Sequence, residues 1–135
     1  MAIKVSTQVD KTKYLKTTDP SGETYVVIRP PDFGMESERD EILKQRSMDR
    51  AGRVNVEVNL STLWAIEIWL TYVETNLHVQ YTDEQGEVVK EIKFEPKDQM
   101  TRDQFLRRLG ELPPGMVYEW HMRLVEVVPD WAVPF

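Results

Sequence analysis

Apolar and polar residues alternate along this chain with two periods, one near 2 and one near 3.6, and each change of period marks an element. Thr24-Tyr25-Val26-Val27-Ile28-Arg29 is rich in β-branched and aromatic residues and is halted by Pro30-Pro31, which predicts a strand over 24–29. Upstream, Asp19-Pro20-Ser21-Gly22 is a turn signal, with proline presetting φ and glycine tolerating positive φ. Tyr14-Leu15 would supply a hairpin partner across it. From 36 to 50 the pattern turns helical. Ser37 is the expected N-cap, acids crowd the first turn at Glu38, Asp40 and Glu41, and Lys44, Arg46 and Arg50 follow, a polarity that complements the helix macrodipole. Its apolar content is thin (Ile42, Leu43, Met48), so a surface helix docked by a narrow stripe is expected, ended by Gly52.

Val54, Val56 and Val58 alternate with Asn55 and Glu57, predicting a half-buried strand over 54–58. A helix over 60–74 follows, whose apolar arc (Leu63, Trp64, Ile66, Ile68, Trp69, Leu70, Tyr72, Val73) is too wide for an ordinary surface helix. Strands over 77–81 and 88–94, the second placing Val88, Ile92 and Phe94 on one face, are joined by Asp83-Glu84-Gln85-Gly86 in a β-hairpin that Pro96 closes. Thr101-Arg102-Asp103-Gln104 has the capping-box form and opens a short helix to Leu109, with Gly110 as its stop. The last helix, 114–127, presents Met116, Val117, Trp120, Leu124 and Val127 at helical spacing. Hairpins separated by helices do not give regular βαβ alternation. The expected fold is therefore α+β: one small antiparallel sheet from 24–29, 54–58, 77–81 and 88–94, packed on helices 60–74 and 114–127.

Length narrows this to a single domain over 1–135 with a polar, basic N-terminal arm over 1–18, whose weak alternation at Ile3, Val5 and Val9 reads as an edge strand or a mobile arm, and an apolar tail over 129–135. A chain of this size buries roughly two-thirds of its unfolded surface, and 41% apolar residues supply the core. The net charge of −6 opposes phosphate binding, so no nucleic-acid partner is expected. It is unevenly spread: Lys4, Lys11, Lys13 and Lys16 outnumber Asp10 in the arm, which is either a solvated surface or a contact for an acidic face of a neighbouring copy or partner. Without cysteine there is no disulfide, zinc ribbon or thiolate catalysis, and a reducing setting is natural. Residues 1–20 lack the apolar stretch of a secretory signal, and the most apolar segment, 60–73, is too short for a membrane span and is broken by Glu67.

The chain offers no catalytic motif. His78 and His121 stand in no metal-ligand spacing, and nucleophile elbows, phosphate loops and dinucleotide fingerprints are missing. Asp83, Glu84 and Glu87 cluster at the hairpin tip without calcium-loop periodicity, and read as turn chemistry. The expectation is a non-enzymatic protein with no cofactor and no metal. Two features suggest contact surfaces. Trp131-Ala132-Val133-Pro134-Phe135 follows a proline-stopped helix, and either folds back on its own domain or anchors another chain. The arc carrying Trp64 and Trp69 is either core or an oligomeric interface. Trp64, Trp69, Trp120, Trp131 and Phe135 are the candidate protein-binding residues.

The order of these pieces resembles a known family. Lys13-Tyr14-Leu15-Lys16-Thr17-Thr18-Asp19-Pro20 leads to Tyr25-Val26-Val27-Ile28-Arg29-Pro30-Pro31, then to a helix and the 83–86 hairpin. The chain closes with 105–109, Leu112-Pro113, and Trp120 through Val128-Pro129-Asp130-Trp131. This is similar to the small tail assembly chaperones of long-tailed bacteriophages, as an order of elements covering most of the chain. The resemblance implies a protein of the host cytoplasm that binds the tape-measure protein, keeps its hydrophobic helices soluble and recruits tail tube subunits; such families often also make a longer frameshifted form. The strand content departs from the mainly helical body of that family. It keeps open a structural virion role, such as a head–tail adaptor or decoration subunit, with an oligomeric state to match.

Overall fold

The computed structural model describes residues 2–3, 10–47 and 60–131, with backbone alone for 42–47 and for Leu60. In chain order the elements are strands β1 (Lys11–Tyr14) and β2 (Tyr25–Ile28), helices α1 (Phe33–Ser47) and α2 (Leu60–Thr71), and strands β3 (Tyr72–Thr75), β4 (His78–Thr82) and β5 (Val88–Lys93). Helices α3 (Arg102–Gly110) and α4 (Pro114–Val127) complete the body, with 3-10 turns at Lys97–Gln99 and Pro129–Trp131. The fold is α+β, as the hydrophobic pattern predicts. The described strands, however, form two antiparallel sheets instead of one: β1-β2-β3, and the separate β4-β5 hairpin. The expected strand over 54–58 lies outside the described residues.

The extra strand comes from the 60–74 segment. Helix α2 ends at Thr71, and Tyr72–Thr75 pairs with β2. Thr71, Tyr72, Val73 and Thr75 are β-branched or aromatic, which favours an extended chain once a neighbouring strand is present. Ile28 faces Tyr72 and Val27 faces Glu74, so Val73 is the additional residue of a bulge. The carbonyls left unpaired at the helix end find donors elsewhere. Arg29 N–H donates to Thr71 O (2.8 Å), and Lys97 Nζ donates to Leu70 O (2.8 Å) while lying 4.8 Å from the Trp69 ring.

The other strand pairings follow local chemistry. Tyr14 pairs with Tyr25 across the 15–24 connection, so residues 11–14 take the edge-strand alternative and leave the arm. Leu15 is fully buried in the core. Asp19 organises the turn: its carboxylate accepts the Ser21 and Thr24 hydroxyls and the Ser21, Glu23 and Thr24 amides. Gly22 takes φ 79°, open to glycine at no steric cost. Asp83 plays the same part in the β4-β5 hairpin, accepting the Gln85 and Glu87 amides, with Gly86 at φ 80°. This confirms turn chemistry as the reason for that acidic residue.

Helix α1 starts three residues before the sequence suggests. Asp32, and not Ser37, is its cap: the carboxylate accepts Met35 N–H (2.8 Å) and the Asp32 carbonyl accepts Glu36 N–H. The capping box of α3 forms as expected, with Thr101 Oγ1 accepting Gln104 N–H and Gln104 Oε1 accepting Thr101 N–H. Gly110 is the last residue of α3.

The core is an aromatic cluster where the sheet meets the helices. Phe105, fully buried, has Trp69, Tyr72, Phe94 and Trp120 around it at centroid distances of 4.6–5.8 Å. Ile28, Ile66, Leu70, Ile92 and Leu124 close the cluster. On the hairpin, Ile92 and Phe94 are buried, but Val88 lies beyond the end of the core and is half exposed. Tyr72 Oη donates to Glu95 O (2.6 Å), and burial pushes its phenol well above the usual range.

Two outcomes follow. Phe105→Ala, which empties the centre of the aromatic cluster, is expected to lower stability by about 3–5 kcal/mol in chemical denaturation. Asp19 is held at about 2, below its usual 3.8, chiefly by the Ser21 and Thr24 hydroxyls. A depressed carboxylate stabilises above its unfolded value and loses that contribution as pH falls through its folded one. The turn over 19–24 should therefore loosen between about pH 3.8 and pH 2, read from the Ser21 and Thr24 amide resonances, and Asp19→Asn should remove the transition.

Candidate functional site

Helix α2 carries one acid in an otherwise apolar stretch, and the fold buries it completely. Glu67 shares a face with Leu63, Ile66 and Leu70, so a helix in the core must take its carboxylate inside. A lone buried carboxylate would cost several kcal/mol. Both oxygens are answered. Arg39 Nε, from α1, donates to Oε2 at 2.9 Å, and His121 Nε2, from α4, lies 2.9 Å from Oε1. Because an ionised carboxylate only accepts, Nε2 carries the proton of that bond. Three helices thus meet at one carboxylate.

Aromatic rings enclose the cluster. The Arg39 guanidinium lies 5.1 Å from the Trp131 ring centroid, and the Trp64 indole stacks on His121 (4.9 Å, 23° between planes). Tyr118 meets Trp64 edge-on at 5.4 Å. Among the described residues its buried Nε1–H has no hydrogen-bond partner.

Beside Trp64 a groove of about 280 Å³ opens between the start of α2, the end of α3 and the start of α4. Ala65, Leu106, Leu112 and Val117 line it, and Tyr118 is half exposed at its lip. Met122, one turn further along α4, is half exposed as well. A larger recess of about 690 Å³, beside β3, is lined by charges of both signs, Arg29, Glu74, Lys97 and Asp98 among them. Burial lowers the Lys97 ammonium there.

A second buried acid ties the N-terminal segment to α4. Glu119 accepts the Thr17 and Thr18 amides (2.8 Å each) and the Thr18 hydroxyl (2.5 Å). Residues 15–18 are therefore part of the body instead of the expected arm.

The candidate contact residues divide. Trp69, Trp120 and Trp131 are buried in the core, with exposures of 9%, 1% and 4%. None of the three offers a free surface. Trp131 packs on its own domain, ending the 3-10 turn at Pro129–Trp131 with its ring under the Arg39 guanidinium. Among the described candidates Trp64 alone lines the groove. Phe135 lies outside the described residues. His78 sits exposed on the hairpin, 3.6 Å from Glu91. Pattern reading missed Arg39, Glu67 and His121 as a unit. The available signals were one acid inside an apolar helical face and a histidine four residues after Val117, on the face that carries Trp120 and Leu124. Arg39 gave none, since an arginine on a charged helix looks solvated.

No family model, curated protein or solved structure matches the chain. Among the described residues no helix is long and apolar enough to cross a membrane.

Arg39→Met, which leaves the fully buried Glu67 carboxylate without its guanidinium, is expected to cost about 3–5 kcal/mol. Combined with Glu67→Ala, the loss should be smaller than the sum of the two single effects. Denaturation of the four proteins of the cycle reads that coupling, and additivity would dissolve the ion pair.

Proposed function

We propose that the chain is a non-enzymatic protein-binding protein that acts in phage tail assembly, as a chaperone of the tape-measure protein that assists tail tube assembly. The observation that carries this reading is the apolar groove between α2, α3 and α4, with Trp64 in its wall and Tyr118 at its lip. A groove of this size takes one or two apolar side chains, which suits successive anchors of an amphipathic helix. Half-exposed Tyr118 and Met122 extend it along α4, and methionine adapts to varied apolar partners. The order of elements shared with tail assembly chaperones supplies the biological setting, and the host cytoplasm is part of that reading.

A second reading, a structural virion protein such as a head–tail adaptor or decoration subunit, draws on β1. This short, lysine-bearing strand ends the β1-β2-β3 sheet and is largely exposed. A neighbouring copy could extend the sheet there.

Mass in solution separates the two. The chaperone reading expects a defined complex when the protein meets an apolar helical segment of a tape-measure protein, and loss of that complex in Tyr118→Glu. A fixed multimer indifferent to the segment would favour the structural reading. A protein that neither multimerises nor binds would overturn both.

A further inference from the structure

Lys97 stands apart from the other described lysines. Lys11, Lys16 and Lys93 are exposed, while Lys13 and Lys90 pair with Glu126 and Glu111. Lys97 is half-buried, and among the described residues no carboxylate lies within ion-pair distance of its ammonium. Its Nζ instead donates to Leu70 O (2.8 Å) and lies 4.8 Å from the centroid of the Trp69 ring. Withdrawal from water with no acid alongside disfavours the charged form of a lysine. Burial accordingly lowers the Lys97 ammonium below its ordinary range; Arg29 adds to the effect, and Glu38 and Asp32 oppose it. The side chain lines the recess of about 690 Å³ beside β3, with Arg29, Val73 and Pro96 among the other walls. A half-desolvated amine, fixed by two contacts, thus stands beside open space.

We propose that Lys97 is an acylation site, modified by a small activated acyl donor of the acyl phosphate class that enters the recess beside β3. The neutral Nζ attacks the acyl carbonyl carbon. The N–C bond forms, the C–O bond to phosphate breaks, phosphate leaves with its electron pair, and the nitrogen releases a proton to solvent. A lysine in water is almost wholly protonated at neutral pH and reacts slowly, whereas one disfavoured as a cation is the better nucleophile. Arg29, in the same recess, brings a guanidinium that suits the phosphate of the donor. The product also fits the contacts already present. An amide N–H donates to Leu70 O as the ammonium does, the planar amide stacks on the Trp69 face, and the acyl group takes up space in the recess. This site is separate from the groove and independent of what binds there.

The experiment incubates the full, unaltered chain with acetyl phosphate at neutral pH and follows each lysine by peptide mass spectrometry, in native buffer and in concentrated urea. In native buffer Lys97 is expected to acetylate about threefold or more faster than Lys11, Lys16 and Lys93. Urea, which removes both the burial and the recess, should erase that lead. Raising the pH toward the ordinary lysine value of 10.5 should shrink it, because every amine then becomes neutral. A Lys97 that reacts no faster than the exposed lysines in the folded protein would overturn the proposal. So would a lead that persists in urea, which would trace to neighbouring sequence and not to the recess.

Discussion

The Glu67 carboxylate can be inside the protein only if two other helices bring donors to it, and much of the arrangement answers that demand. Helix α2 is apolar on nearly every side and supplies the centre of the core, so it cannot turn its one acid outward without exposing Leu63, Ile66 or Leu70. Arg39 then fixes where α1 crosses α2, and His121 fixes the rotation of α4. Since α4 also carries Trp120 and Glu119, that rotation seats the aromatic cluster on one side and holds the 15–18 segment on the other. An apolar residue at 67 would pack as well and with less cost, but it would not specify these angles.

The same carboxylate shapes the surface next to it. Stacking on His121 stands Trp64 upright as a wall between the charged cluster and the groove, and Tyr118 leans on its edge. Charge and apolar recess are therefore neighbours sharing one indole.

How much was legible in the sequence depended on how local the cause was. The β4-β5 hairpin, the Thr101–Gln104 box and the 24–29 strand are set by residues a few positions apart, and all three form. The end of α2 was not legible. Tyr72 and Val73 continue the helical apolar pattern, and become strand only because β2 lies alongside to pair with them. Division of the strands into two sheets is likewise a tertiary outcome, as β3 turns toward β2 and leaves the hairpin to itself. Of the tryptophans proposed as contacts, Trp69, Trp120 and Trp131 went to the core, where large rings stabilise most. The reading overlooked that a buried acid needs partners and that those partners are found by asking which polar residues share a core-facing helical stripe.

The side-chain resonance of Arg39 Nε–H tests the central claim most directly. If Glu67 and Trp131 hold the guanidinium as described, this proton gives a sharp signal protected from solvent, with cross-relaxation to the Trp131 ring, and it disappears from that environment in Glu67→Gln. An Arg39 Nε–H that exchanges like that of a solvated arginine, unchanged by Glu67→Gln, would contradict the account.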